Sequence, residues 1–199
     1  MLTKDNALVW IATFSEAVIA KKEFLSDLDT PIGDGDHGFN MARGLAAVQE
    51  AMTATPPQSL TDVFKTVAMQ LLSKVGGASG PLYSSAFLAM IKAIDNKETL
   101  NHDEVADMLQ AGLDSVKMRG KAEVGEKTMV DVWTPAIVAL REGTLNETTI
   151  DAMVEATAPI KATKGRASYL GDRSIGHVDP GSYSSGIFFK AMLQSGVLG

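Results

Sequence analysis

A chain of 199 residues, 45% hydrophobic and 21% charged, is long enough to bury a sizeable core and to fold as a single domain, residues 1–199. A net charge of −6 argues against a nucleic-acid partner, which needs clustered Lys and Arg. The lack of cysteine excludes disulfides, thiolate catalysis and Cys-type zinc sites, and three histidines (His37, His102, His177) are few for a His-rich metal site. The first ten residues, MLTKDNALVW, do not read as a signal peptide, and no stretch approaches the ~18 apolar residues of a membrane helix. The expectation is a cytoplasmic protein with no membrane partner.

Apolar spacing is helical almost throughout. Leu8, Ile11, Val18 and Ile19 mark one face of a first helix from Thr3 to about Asp27. A loop of Asp, Gly and Pro spans 29–40, and an Ala-rich helix runs from Asn40 to about Met52, before Pro56-Pro57. Thr61 reads as the N-cap of a third helix to Lys74, ended by Gly76-Gly77. A fourth starts near Ser79-Gly80-Pro81 and reaches Ile94. Asn101-His-Asp-Glu104 reads as a capping box for a fifth helix ending near Gly120. The sixth covers Val130 to Arg141 despite Pro135, and a box at Thr144–Glu147 opens a seventh to about Thr163. After an irregular stretch, 165–179, Asp179-Pro180 opens the last helix, to Leu193. No segment alternates like a strand, so the predicted fold is all-α: a bundle or barrel of about eight antiparallel up-and-down helices.

The glycine-rich polar loops 29–40, 76–81, 120–128 and 165–181 follow helices one, three, five and seven. In an up-and-down arrangement these share one end, so a site on that rim could draw on all four.

Asp29, Asp34 and Asp36 crowd one of these loops, and like charges so close call for a cation. Carboxylates are ligands for a hard divalent ion such as Mg²⁺, which also takes substrate phosphates. The alternative is a solvated acidic turn with capping aspartates. Gly33–Gly38 matches G-x-G-x-x-G, but no strand precedes it and two variable positions are acidic, so the dinucleotide reading fails. His37 and Asn40 open a helix, where an anion is favoured, so His37 could hydrogen-bond a phosphate; a capping or packing histidine is the alternative. Gly76–Gly80 could cradle phosphate or merely end a helix, and Arg166 could meet phosphate or lie on the surface. Asp179 is most economically an N-cap, while Met129 borders a loop and could pack on a flat base.

Taken together, Gly33–Gly38, Gly76–Tyr83, Gly125–Met129 and the long run Gly165–Gly181 resemble the L subunits of dihydroxyacetone kinases, from first helix to last. The resemblance implies a barrel of eight antiparallel helices with a nucleotide, ADP or ATP, at one rim. It implies that Asp29, Asp34 and Asp36 hold two Mg²⁺ ions, and that His37, Gly38, Phe39 and Asn40 face the phosphates. Ala78 and Ser79 would complete the phosphate cradle, and Gly120, Met129, Arg166, Asp179, Pro180 and Gly181 would line the rest. Ser84, Glu126 and Ser182 depart from the family's usual Gly, Asp and Ala.

A free-standing chain of this length resembles the phosphotransferase-system form. There a phosphohistidine on an M subunit phosphorylates bound ADP, and the γ-phosphoryl passes to dihydroxyacetone on a K subunit. No catalytic residue forming a covalent intermediate is expected on this chain, and a homodimer is compatible with the resemblance. The alternatives are a nucleotide-dependent regulatory partner of a transcription regulator, or the L subunit of an ATP-dependent dihydroxyacetone or related kinase.

Overall fold

The computed structural model describes residues 1–198. Nine α-helices are present among them: α1 (Lys4–Ala20), α2 (Lys22–Asp29), α3 (His37–Ala54), α4 (Leu60–Lys74), α5 (Ser79–Ile94), α6 (His102–Gly120), α7 (Val130–Arg141), α8 (Glu147–Glu155) and α9 (Pro180–Gln194). Eight close a ring in the order α1, α3, α4, α5, α6, α7, α8, α9, with α9 back against α1. The short α2 stands outside the ring sequence and packs on α3 and α9.

Aromatic rings fill the barrel. Phe188 of α9 lies at the hub, with ring centroids 4.7 Å from Trp10, 5.4 Å from Phe14, 5.9 Å from Phe87 and 5.3 Å from Trp133. These come from α1, α5 and α7, so one side chain couples four staves. The Trp10 indole finds its partner within the core, donating to the Phe188 carbonyl at 2.9 Å.

The helix starts differ between the two ends of the barrel. At the far end, α1, α4, α6 and α8 each begin with a capping box: Thr3 with Asn6, Ser59 with Asp62, Asn101 with Glu104, Asn146 with Thr149. At the other rim, Asp36, Ala78 and Met129, immediately before α3, α5 and α7, provide no side-chain cap, although Thr128 Oγ1 accepts the first N–H of α7 and Asp179 caps α9. Helix N-termini carry free N–H groups and positive dipole ends, so this rim is the one suited to anions.

Several predicted boundaries change. The first helix breaks at Lys21, where α2 turns to cover the rim; Gly38 lets it approach, since a Cβ there would collide with the Lys22 carbonyl oxygen. Ser59, not Thr61, caps α4, because only Ser59 stands three residues before Asp62. The box before α8 is Asn146–Thr149, not Thr144–Glu147. Helix α8 ends at Glu155, and the irregular stretch after it contains a 3₁₀ segment, Arg166–Ser174. Strands β1 (Leu2–Thr3) and β2 (Thr99–Leu100), too short to show alternation, pair antiparallel at the far end.

Candidate functional site

A cavity of about 400 Å³ opens on this rim, and segments from all four predicted loops line it. The first contributes Asp29, Asp34, Asp36, His37 and Asn40; the second Ala78 and Ser79; the third Gly120 and Met129; the fourth Arg166, with Asp179, Pro180 and Gly181 at the start of α9. Gly38 and Phe39 stand outside this lining. Gly38 faces α2, and Phe39 is 48% exposed, its N–H bonded to Ser26 Oγ.

The three aspartates converge because the chain folds back at the end of α2. Asp29 Oδ2 accepts the N–H groups of Asp36 (3.1 Å) and His37 (3.2 Å), so this carboxylate fastens the start of α3. Gly33 lies so close to Asp29 that a Cβ would collide with Oδ1. Each of the three carboxylates offers one oxygen within 4.8 Å of the others. Oxygen-only donors at this spacing fit a hard divalent cation. Arg166 crosses from the fourth segment, its guanidinium 2.6 Å from Asp34 Oδ2.

His37 is buried between two hydroxyls, Ser79 Oγ at 3.0 Å from Nδ1 and Ser184 Oγ at 3.1 Å from Nε2. Burial pushes its pKa down to about 4, against the opposing pull of Asp36, so the ring is neutral at pH 7. One proton arrangement satisfies the whole chain behind it. The Trp133 indole can only donate, and does so to Ser185 Oγ; Ser185 then donates to Tyr83, and Tyr83 to Ser184. Ser184 gives its own proton to the Gly181 carbonyl, which requires a proton on His37 Nε2 and leaves Nδ1 to accept from Ser79. Burial also raises the Tyr83 hydroxyl to about 12, which keeps it a donor.

The sequence reading missed Lys127. It is 2% exposed, and its ammonium donates to the carbonyls of Thr157 (2.7 Å), Ala158 (3.1 Å) and Ile160 (3.1 Å), just past the end of α8. The side chain thereby clasps the third rim segment to the chain leading into the fourth. Its neighbour Glu126 adds to this, accepting from the Glu123 N–H at 2.7 Å and from Thr163 Oγ1 at 3.0 Å. Ser182 donates to the Thr128 carbonyl at 2.8 Å, a tether alanine cannot make. Ser84 is buried in α5 with no partner for its hydroxyl among the described residues, and nothing in the structure explains the serine there. Asp179 caps α9 through the Ser182 N–H at 2.7 Å; burial raises its pKa to about 6, opposed by that bond and by Lys127.

Residues 31–194 match the model of the DAK2 domain. The chain belongs to the DAK2 domain family. Among DAK2 relatives, the ADP-binding subunit DhaL of a PEP-dependent dihydroxyacetone kinase from Listeria innocua is 55% identical over 98% of both chains. The PTS-dependent counterpart from Lactococcus lactis is 49% identical over 98% of both. A solved structure of the C. freundii dihydroxyacetone kinase, in complex with AMP-PNP and Mg²⁺, superposes with a TM-score of 0.73 at 27% identity. That match covers 95% of this DAK2 chain and 34% of the C. freundii chain, the remainder of which has no counterpart here.

Proposed function

We propose that this chain is the ADP-binding subunit of a phosphoenolpyruvate-dependent dihydroxyacetone kinase, a phosphotransferase that acts only with partner subunits. The observation that carries the reading is the convergence of the acidic trio and the uncapped start of α5 on one rim cavity. Full-length similarity to kinase subunits of that kind favours it over the regulatory alternative. In this reading the chain is a single nucleotide-binding unit in the cytoplasm. An M-type subunit carrying a phosphohistidine supplies the phosphoryl group to ADP, and a K-type subunit presents dihydroxyacetone to the resulting ATP.

Asp29, Asp34 and Asp36 would hold Mg²⁺, two ions in this proposal, whose chemistry is to offset the charge of the phosphates and of the group in transfer. The N-termini of α5 and α7 direct backbone dipoles at the same anion. Gly120, packed on Leu82 and Ala122, and Met129, beside Gly181, supply an apolar wall for a base. Asp179 would add a ribose contact to its capping bond. Arg166 would exchange Asp34 for phosphate oxygens, a bidentate match for its guanidinium. His37 positions rather than attacks, since both ring nitrogens are engaged by hydroxyls. Transfer is then direct, without a covalent intermediate on this chain.

The test is ADP binding by calorimetry with and without Mg²⁺. Asp34→Ala is expected to lose the Mg²⁺-dependent part of the affinity, and unchanged binding would remove the metal assignment. Phosphoryl transfer from a phosphorylated M-type protein to the ADP-loaded chain tests the donor, and a stable phosphohistidine at His37 would contradict direct transfer.

A further inference from the structure

Arg43 lies outside the cavity, on the exposed side of α3, one turn beyond Asn40. Its Nη2 donates to Asn40 Oδ1 at 2.5 Å and its Nε donates to the Lys74 carbonyl at 2.9 Å. A guanidinium has donors only, so the amide atom that faces it must be the oxygen. That settles which amide atom of Asn40 faces Arg43, and leaves Nδ2 as the atom available to a ligand in the cavity that Asn40 lines. Asn40 is 8% exposed, and among the described residues Nδ2 has no hydrogen-bond partner. An amide nitrogen with both protons unspent at a cavity wall is a ready donor to an anionic acceptor.

We propose that Arg43 is a positioning residue: it holds the Asn40 amide so that its two N–H donors face an anionic oxygen of the bound nucleoside diphosphate. The identity of that ligand rests on the function proposed above; the amide orientation does not. The second bond, to the Lys74 carbonyl, anchors the guanidinium for that task. Lys74 closes α4 just before the Gly76-Gly77 turn, so one side chain ties the start of α3 to the start of the second rim segment. Free rotation of the amide would present an acceptor to the phosphates half the time, which is repulsive.

The experiment is a double-mutant cycle on Mg·ADP affinity with Arg43→Met, Asn40→Ala and the pair, alongside Arg43→Lys. Arg43→Met and Asn40→Ala should each weaken binding by about tenfold, the scale of one hydrogen bond to a charged group. The double variant should be no weaker than Asn40→Ala alone, and Arg43→Lys, which can still donate to Oδ1, should recover most of the loss. Multiplying losses, or wild-type affinity in Arg43→Met, would overturn the proposal. A second readout needs no nucleotide: the Asn40 side-chain N–H pair in the proton–nitrogen spectrum, identified by its disappearance in Asn40→Ala. It should shift or split in Arg43→Met, and an unchanged pair also overturns the proposal. Failure of the wild-type chain to bind ADP would instead defeat the nucleotide reading, leaving the spectrum to judge Arg43.

Discussion

Asp179 and His37 carry pKa values displaced in opposite directions for the same reason, loss of water around the charged form. For Asp179 the folded value, about 6, exceeds the ordinary 3.8. Its contribution to stability is therefore full below pH 3.8 and is lost as pH rises through 6. Asp179→Asn keeps the cap, because asparagine caps as well as aspartate, and removes the buried charge. The nucleotide-free variant should match the wild type near pH 4 and exceed it by about 3 kcal/mol at pH 8, read from urea unfolding at a series of pH values. His37 runs the other way. Its folded value of about 4 lies below 6.5, so its neutral form supports the fold above pH 6.5 and that support fades as pH falls through 4.

Among the elements, the tie between rim segments depends on Lys127. Its removal strands three carbonyls that follow α8, where a cation also meets the negative end of the helix. Lys127→Met should cost about 2–4 kcal/mol in denaturant unfolding and speed protease cleavage between residues 156 and 165, with far-ultraviolet circular dichroism retained. Helix periodicity, capping boxes and the alternation of loops made the barrel legible in the sequence, and the clustering of Asp29, Asp34 and Asp36 was legible because three carboxylates share one glycine-rich loop. Lys127 was not, since a lysine in a loop looks like any surface lysine until the carbonyls around it are placed. The break at Lys21 was hidden too: α1 and α2 share one continuous apolar pattern, and only the packing of α2 on α3 and α9 divides them. Thr61 and Ser59 both suit an N-cap by type. The partner at position 62 decides between them, and its three-residue spacing was readable but unused.

At the level of the whole molecule, the closed ring makes the interior and the rim separable. Phe188 couples helices α1, α5, α7 and α9 through ring contacts. Phe188→Ala should cost about 3–5 kcal/mol, as large core truncations do, and unfold in one transition by fluorescence and circular dichroism alike. Its folded fraction should still bind Mg·ADP with wild-type affinity, because no atom of Phe188 lines the cavity. A fall in affinity that tracks the fall in stability would mean that core and rim are one cooperative unit.

The Arg166–Asp34 contact gives the acidic cluster an occupant of its own. Both side chains are well exposed, 66% and 37%, so the attachment is worth only about 0.2–1 kcal/mol. It is strong enough to bias the fourth segment towards the aspartates and weak enough for thermal motion to release it. In the proposed site, a divalent ion arriving alone would displace a guanidinium that gains nothing in return. An ion arriving with a diphosphate offers that guanidinium a new counter-ion in the same step. If the site binds as proposed, metal and nucleotide affinities would be thermodynamically linked through one arginine, each strengthening the other by the same factor.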